Sequence, residues 1–89
     1  MDSLTVLRKQ IDVVDAKILA LLIRRFRLVK LVAASKMRGE KHDPKREKEM
    51  LSLWLKHTKG TDIDPKFVGK LLKLITDESK KYQSVIYHA

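Results

Sequence analysis

An arginine stands where a run of aliphatic residues calls for another leucine. Leu4, Leu7, Ile11, Val14, Ile18 and Leu21 recur at alternating steps of three and four. The next heptad step falls on Arg25, after which Leu28 and Val32 resume the series. An unpaired buried guanidinium is costly, so Arg25 needs an anion, an internal salt bridge or a helix rotation that lets it snorkel to water. Lys36 lies eleven residues on, a net rotation of about 20° on a helix, and so shares Arg25's face three turns away. Two long cationic side chains on one face can converge on a single anion.

Two further segments carry polar residues among apolar ones. Glu47 precedes Met50 and Leu51 by three and four residues and so joins the face they form with Trp54. There it is either an acceptor for a buried donor or a partner for Arg25. Asp43 and Arg46 stand beside it at a helix entry, where free backbone N–H groups also favour ligand oxygens. Ser79 falls four residues after Ile75 in the apolar series Val68, Leu71, Leu72, Ile75 and Tyr82, and Gln83 follows one turn later. Each could be a satisfied core polar group. Together they bring cations, a carboxylate, a hydroxyl and an amide inward, and unsatisfied buried groups are rare in native folds. Such a set suits a reaction driven by positioning and electrostatics. No nucleophile–base pair, glycine-rich phosphate loop or paired-carboxylate motif is present, and His42, His57 and His88 lack metal-ligand spacing.

The elements that must position these groups are helices. His42-Asp43-Pro44 and Asp64-Pro65 read as helix entries, with aspartate as N-cap and proline in the first turn. Gly39 and Gly60 sit where C-caps belong. The spacing predicts an all-α single domain over 1–89 with helices at about 3–37, 44–59 and 65–87, and no β-type alternation competes. At 1.5 Å per residue the first helix is roughly 50 Å long, whereas a compact chain of this length is only about 25–30 Å across. Much of its seam stays wet unless a second chain covers it, so an intertwined homodimer is expected.

The bulk numbers agree. Eighty-nine residues, 44% of them hydrophobic, suffice for one marginal domain. The net charge of +9 draws anions: nucleic acid, an anionic membrane surface or a small polyanionic metabolite. The absence of cysteine rules out disulfides, thiolate metal sites and a thiol nucleophile. No signal peptide opens the sequence, and Lys or Arg interrupts every apolar run, so a cytoplasmic protein without membrane spans is expected.

The sequence resembles the all-helical, or type II, chorismate mutases over nearly its whole length. The resemblance is carried by Leu7-Arg8-Lys9-Gln10-Ile11-Asp12-Val13-Val14-Asp15, Arg24-Arg25, Lys36, Asp43-Pro44-Lys45-Arg46-Glu47, and Ser79 with Gln83. It implies a cofactor-free and metal-free enzyme of phenylalanine and tyrosine biosynthesis that rearranges chorismate to prephenate. By this resemblance Arg8 and Arg25 hold the two substrate carboxylates, with Ser79 assisting, and Lys36 and Gln83 donate to the ether oxygen. Glu47 and the backbone N–H of Asp43 bind the ring hydroxyl, with Arg46 supporting that corner. Arg8 and Arg25 are seventeen residues apart, about 25 Å along one helix. A ligand less than ~10 Å wide cannot touch both on one chain, so Arg8 is expected from the partner subunit. Thr76 and Lys80 stand where relatives often carry apolar residues, and the Lys80 ammonium either sharpens anion binding or, the favoured reading, points to solvent. Gln83 replaces the glutamate of some relatives, which implies activity at neutral pH.

Two rivals are weighed against this reading. An isochorismate pyruvate lyase on the same fold would share most of these residues, and Glu47, placed for the chorismate hydroxyl, argues for the mutase. Nucleic-acid binding through a helix-turn-helix needs short helices and a tight turn, which the long first helix and the linkers at Gly39 and Gly60 do not offer.

Overall fold

The computed structural model describes residues 2–35 and 44–88, with side chains described as far as Tyr82. Among these residues three α-helices follow in order, α1 (Ser3–Ser35), α2 (Pro44–Thr58) and α3 (Pro65–His88). The three helices expected from the sequence are therefore present among these residues, and Ser3, Pro44, Thr58, Pro65 and His88 lie within one residue of the expected ends; the expected end of the first helix at 37 lies outside the described residues. The expected cap at Gly39 and the N-cap at Asp43 lie outside the described residues.

Each described helix start has a chemical cause. Asp2 caps α1: its Oδ1 accepts from the Leu4 N–H at 3.1 Å, and its carbonyl accepts from the Val6 N–H at 3.1 Å. Asp64 caps α3 in the same way, taking the Lys66 N–H at 2.9 Å, while Pro65 supplies a first-turn residue with no donor to satisfy. Helix α2 ends in a turn closed by Gly60, whose φ of +81° lies in the left-handed region where a Cβ is penalised. There the Thr61 N–H reaches back to the Thr58 carbonyl at 3.1 Å.

Helix α3 is the centre of the arrangement, because both α1 and α2 pack on it. Its inner face is the one the sequence predicted, with Val68, Leu72, Ile75 and Ser79 buried and Leu71 and Tyr82 half-buried. From α1 only the C-terminal half reaches it. Leu22, Arg25, Phe26 and Val29 are half-buried and Ala33 is buried. The Phe26 and Tyr82 rings lie 5.3 Å apart, and the Lys30 ammonium sits 4.8 Å over the Tyr82 ring.

The heptad seam is not the face that packs inside the chain. Leu28 and Val32, which continue it in sequence, are exposed, and Leu22, Phe26, Val29 and Ala33 turn inward instead. A strict seven-residue repeat drifts by about 20° per heptad on a straight helix, so the two stripes coincide near Leu4 and Ile11 and separate by Leu28. Helix α1 thus carries apolar residues on more than one face. Among the described residues nothing packs over its N-terminal half: Leu7, Ile11, Ile18 and Leu21 are 50–63% exposed.

The dimensions express the same fact. The radius of gyration is 16.7 Å, against about 12 Å for a compact chain of 89 residues, and the long axis measures 56 Å. The accessible surface is 7688 Å², roughly 2,300 Å² more than a compact monomer of this mass presents.

Removal of the Asp64 cap tests the local account. The Asp64→Ala variant is expected to lose about 1 kcal/mol of stability in chemical denaturation. An unchanged midpoint would show that α3 starts without that hydrogen bond.

Candidate functional site

Arg25 lies where α1 meets α3, and its neighbours come from all three helices. Nη1 donates to Ser79 Oγ on α3 at 2.9 Å, and Nη2 lies 3.8 Å from Met50 Sδ on α2. Thioether sulfur is a weak acceptor, so the second contact orients the guanidinium more than it satisfies it. The Ser79 hydroxyl is used in both directions, since its own proton goes to the Ile75 carbonyl at 2.8 Å. Ser79 therefore acts here as a fixed acceptor that aims Arg25. A guanidinium has five N–H donors, and two directed contacts leave capacity for an anion.

The electrostatics of this arginine point the same way. Burial pushes the Arg25 guanidinium below its ordinary range, and the positive charge of Arg46 adds to the effect. The folded chain therefore disfavours the charge that Arg25 carries at every ordinary pH. A negative charge placed beside Arg25 would offset both causes.

Glu47 stands in the first turn of α2, where a carboxylate also complements the positive end of the helix dipole. Its Oε1 is shielded from solvent and faces the Lys80 ammonium of α3 at 3.5 Å. Lys80 also lies 3.8 Å from Asp77. Lys80, for which the sequence favours solvent over a place beside the anion, keeps a side chain 43% exposed, yet the α2–α3 register also brings the first turn of α2 beside it. Thr76 is buried as well, with its hydroxyl on the Lys73 carbonyl at 3.1 Å, which is how a helix accommodates a polar side chain at an inner position. A cleft of about 370 Å³ opens between α2 and α3, lined by Glu47, Leu51, Leu72, Thr76, Asp77 and Lys80 among others.

The residues expected at the site are accordingly in three groups. Arg25, Ser79, Glu47 and the exposed Arg46 gather where the three helices meet. Arg8 does not join them on this chain, because it is exposed on the uncovered half of α1, about 25 Å from Arg25 along the helix. Lys36 and Asp43 lie outside the described residues, and Gln83 belongs to α3 with its side chain outside them. The contacts of Met50 and Lys80 with site residues were not foreseen. Met50 reads only as an apolar inner residue, and the Lys80–Glu47 pair depends on inter-helix register, for which the sequence carries no local signal. No group of metal-ligating side chains occurs among the described residues, and none of the described helices is long and apolar enough to cross a membrane.

Fold and geometry together define a class first: a protein whose described residues form three α-helices, with a half-buried arginine of the first meeting polar and sulfur groups of the other two. The family follows from comparison. The model of the chorismate mutase type II family matches residues 7–84, and the chain belongs to that family. No curated protein and no solved structure matches the chain.

The cost of holding Arg25 in place separates a ligand site from a structural tie. If an absent anion accounts for its position, Arg25→Met fills the space, removes a disfavoured charge and melts at the same or a higher temperature than the parent. A fall of more than about 5 °C, roughly 1 kcal/mol for a chain of this size, would mark Arg25 as a structural element instead.

Proposed function

We propose that this protein is a chorismate mutase, an intramolecular isomerase of phenylalanine and tyrosine biosynthesis, working as a homodimer. The observation that carries the reading is Arg25: half-buried, aimed by Ser79 and Met50, crowded by a second cation, and left with donors to spare. Its family membership supplies the substrate class, a dicarboxylate with a ring hydroxyl and an enolpyruvyl ether.

The chemistry asks little of the protein beyond place and field. In the rearrangement one C–O bond breaks as one C–C bond forms within the same molecule, so no group is transferred and no cofactor takes part. Negative charge grows on the ether oxygen and positive charge on the ring as the bond lengthens. Hydrogen-bond donors fixed in advance at that oxygen stabilise the transition state more than the ground state. In our reading Lys36 and Gln83 are those donors. Arg25 holds one carboxylate, and Glu47 accepts from the ring hydroxyl with the backbone N–H of Asp43 and the side chain of Arg46 beside it. Gripping both ends of the substrate selects the folded, chair-like conformer and removes the entropy of finding it.

The second carboxylate requires Arg8, and the length of α1 decides which Arg8. The 25 Å between Arg8 and Arg25 exceeds any single-chain grip on a small molecule, so the site takes Arg8 of the partner subunit. The uncovered half of α1 supports this, because a second copy laid along it would hide apolar surface and deliver Arg8 together. An obligate dimer hides upwards of about 1,000 Å² on each protomer, which the 2,300 Å² excess readily supplies.

Subunit mixing tests the reading. Purified protein should convert chorismate to prephenate, followed by loss of chorismate absorbance, and the Arg8→Ala and Arg25→Ala dimers should each lose at least about 100-fold in kcat/KM. When the two variants are unfolded together and refolded as a mixture, half the dimers are hybrids with one intact site each. About a quarter of wild-type activity should return. Failure of the mixture to exceed its components would place both arginines in one chain's site, against this proposal; turnover of isochorismate to pyruvate in place of chorismate rearrangement would reassign the reaction.

A further inference from the structure

A chain of alternating charges runs up the exposed side of α3 and ends on α2. Lys73 reaches Asp77 Oδ2 at 3.5 Å, Lys80 approaches Asp77 Oδ1 at 3.8 Å, and the same ammonium faces Glu47 Oε1 at 3.5 Å. All four residues line the cleft between the two helices. The first two links lie within α3 and follow from three- and four-residue spacing. The last link is different, since it joins two helices at a carboxylate assigned above to the substrate.

We propose that Lys80 is a positioning residue for Glu47, fixing the direction of the carboxylate that receives the substrate's ring hydroxyl. This rests on the mutase reading of the site. Stability alone gives a weak reason for the pair. Glu47 Oε1 is shielded, but the Lys80 and Glu47 side chains as a whole are 43% and 32% exposed, and an ion pair this accessible contributes modestly to folding. Its geometry suits positioning better. At 3.5 Å the contact is longer than a charge-assisted hydrogen bond, typically about 2.7–2.9 Å, so the ammonium draws the carboxylate by charge and not through a short directional bond. Asp77 holds the ammonium from its other side and is itself drawn towards Lys73, so Lys80 does not follow Glu47 freely. A glutamate has three rotatable side-chain bonds, and a poorly placed acceptor a fraction of its length away forfeits catalytic alignment.

The test is a kinetic double-mutant cycle on the full-length protein with chorismate as substrate. It compares the wild type, Lys80→Met, Glu47→Gln and the double variant, with Lys80→Arg as the charge-preserving control. Lys80→Met should lower kcat/KM about tenfold, mainly through kcat, and Lys80→Arg should recover most of it. In the Glu47→Gln background the same change should cost less than about twofold, because the carboxylate it positions is gone. Thermal unfolding of each variant confirms that assays are run on folded protein. Should Lys80→Met fold poorly, Asp77→Asn at the exposed end of the chain carries the same test, with an expected loss of about threefold. A folded Lys80→Met with wild-type kcat and KM, or an equal loss in both backgrounds, overturns the inference and leaves the mutase reading standing. A wild-type protein that does not turn over chorismate overturns that reading, and the inference with it.

Discussion

The length of α1 is the constraint on which the rest depends. Its 33 residues carry apolar side chains on more than one face, and α3 can cover only the C-terminal half of one of them. The buried apolar core among the described residues is correspondingly small: Ala33, Val68, Leu72 and Ile75. Four such side chains do not offset the ordering entropy of a chain this long. In our proposal a second copy supplies the missing apolar contact, and the same contact completes the site. Folding and catalysis then share one interface, which explains how so short a chain could carry a reaction that grips a substrate at both ends.

Within the site, the electrostatics suit the guest that we propose. Arg25 is desolvated and crowded by Arg46, and its described contacts are a neutral hydroxyl and a sulfur. An arrangement built for stability would put a carboxylate there or an apolar side chain. The carboxylate nearby instead meets a lysine of the neighbouring helix. Charge is thus divided into a cationic corner about Arg25 and a mixed corner about Glu47 and Lys80. A substrate with carboxylates at one end and a hydroxyl at the other matches that division.

Much of this was legible before the structure. The caps at Asp64 and Gly60 fix where helices begin and end, because they act through backbone groups within a few residues. Arg25 and Ser79 declare themselves by interrupting apolar series, and the structure brings those two interruptions together at 2.9 Å. What could not be read is the rotation of α1. Leu28 and Val32 satisfy a heptad pattern as well as Leu22 and Val29 satisfy an inward stripe, and only packing against α3 chooses between them. Lys80 shows the same limit. Its sequence neighbours suggest a solvated charge, whereas its partner Glu47 lies thirty-three residues away, and their meeting depends on the register of two helices.

The central claim is that the uncovered half of α1 belongs against a second copy, and the mass of the protein in solution tests it most directly. Sedimentation equilibrium at micromolar concentration should give twice the chain mass of 10.3 kDa, with no monomer over a tenfold dilution. A well-folded species of 10.3 kDa under those conditions would contradict the account, since Arg8 would then have no route to the site.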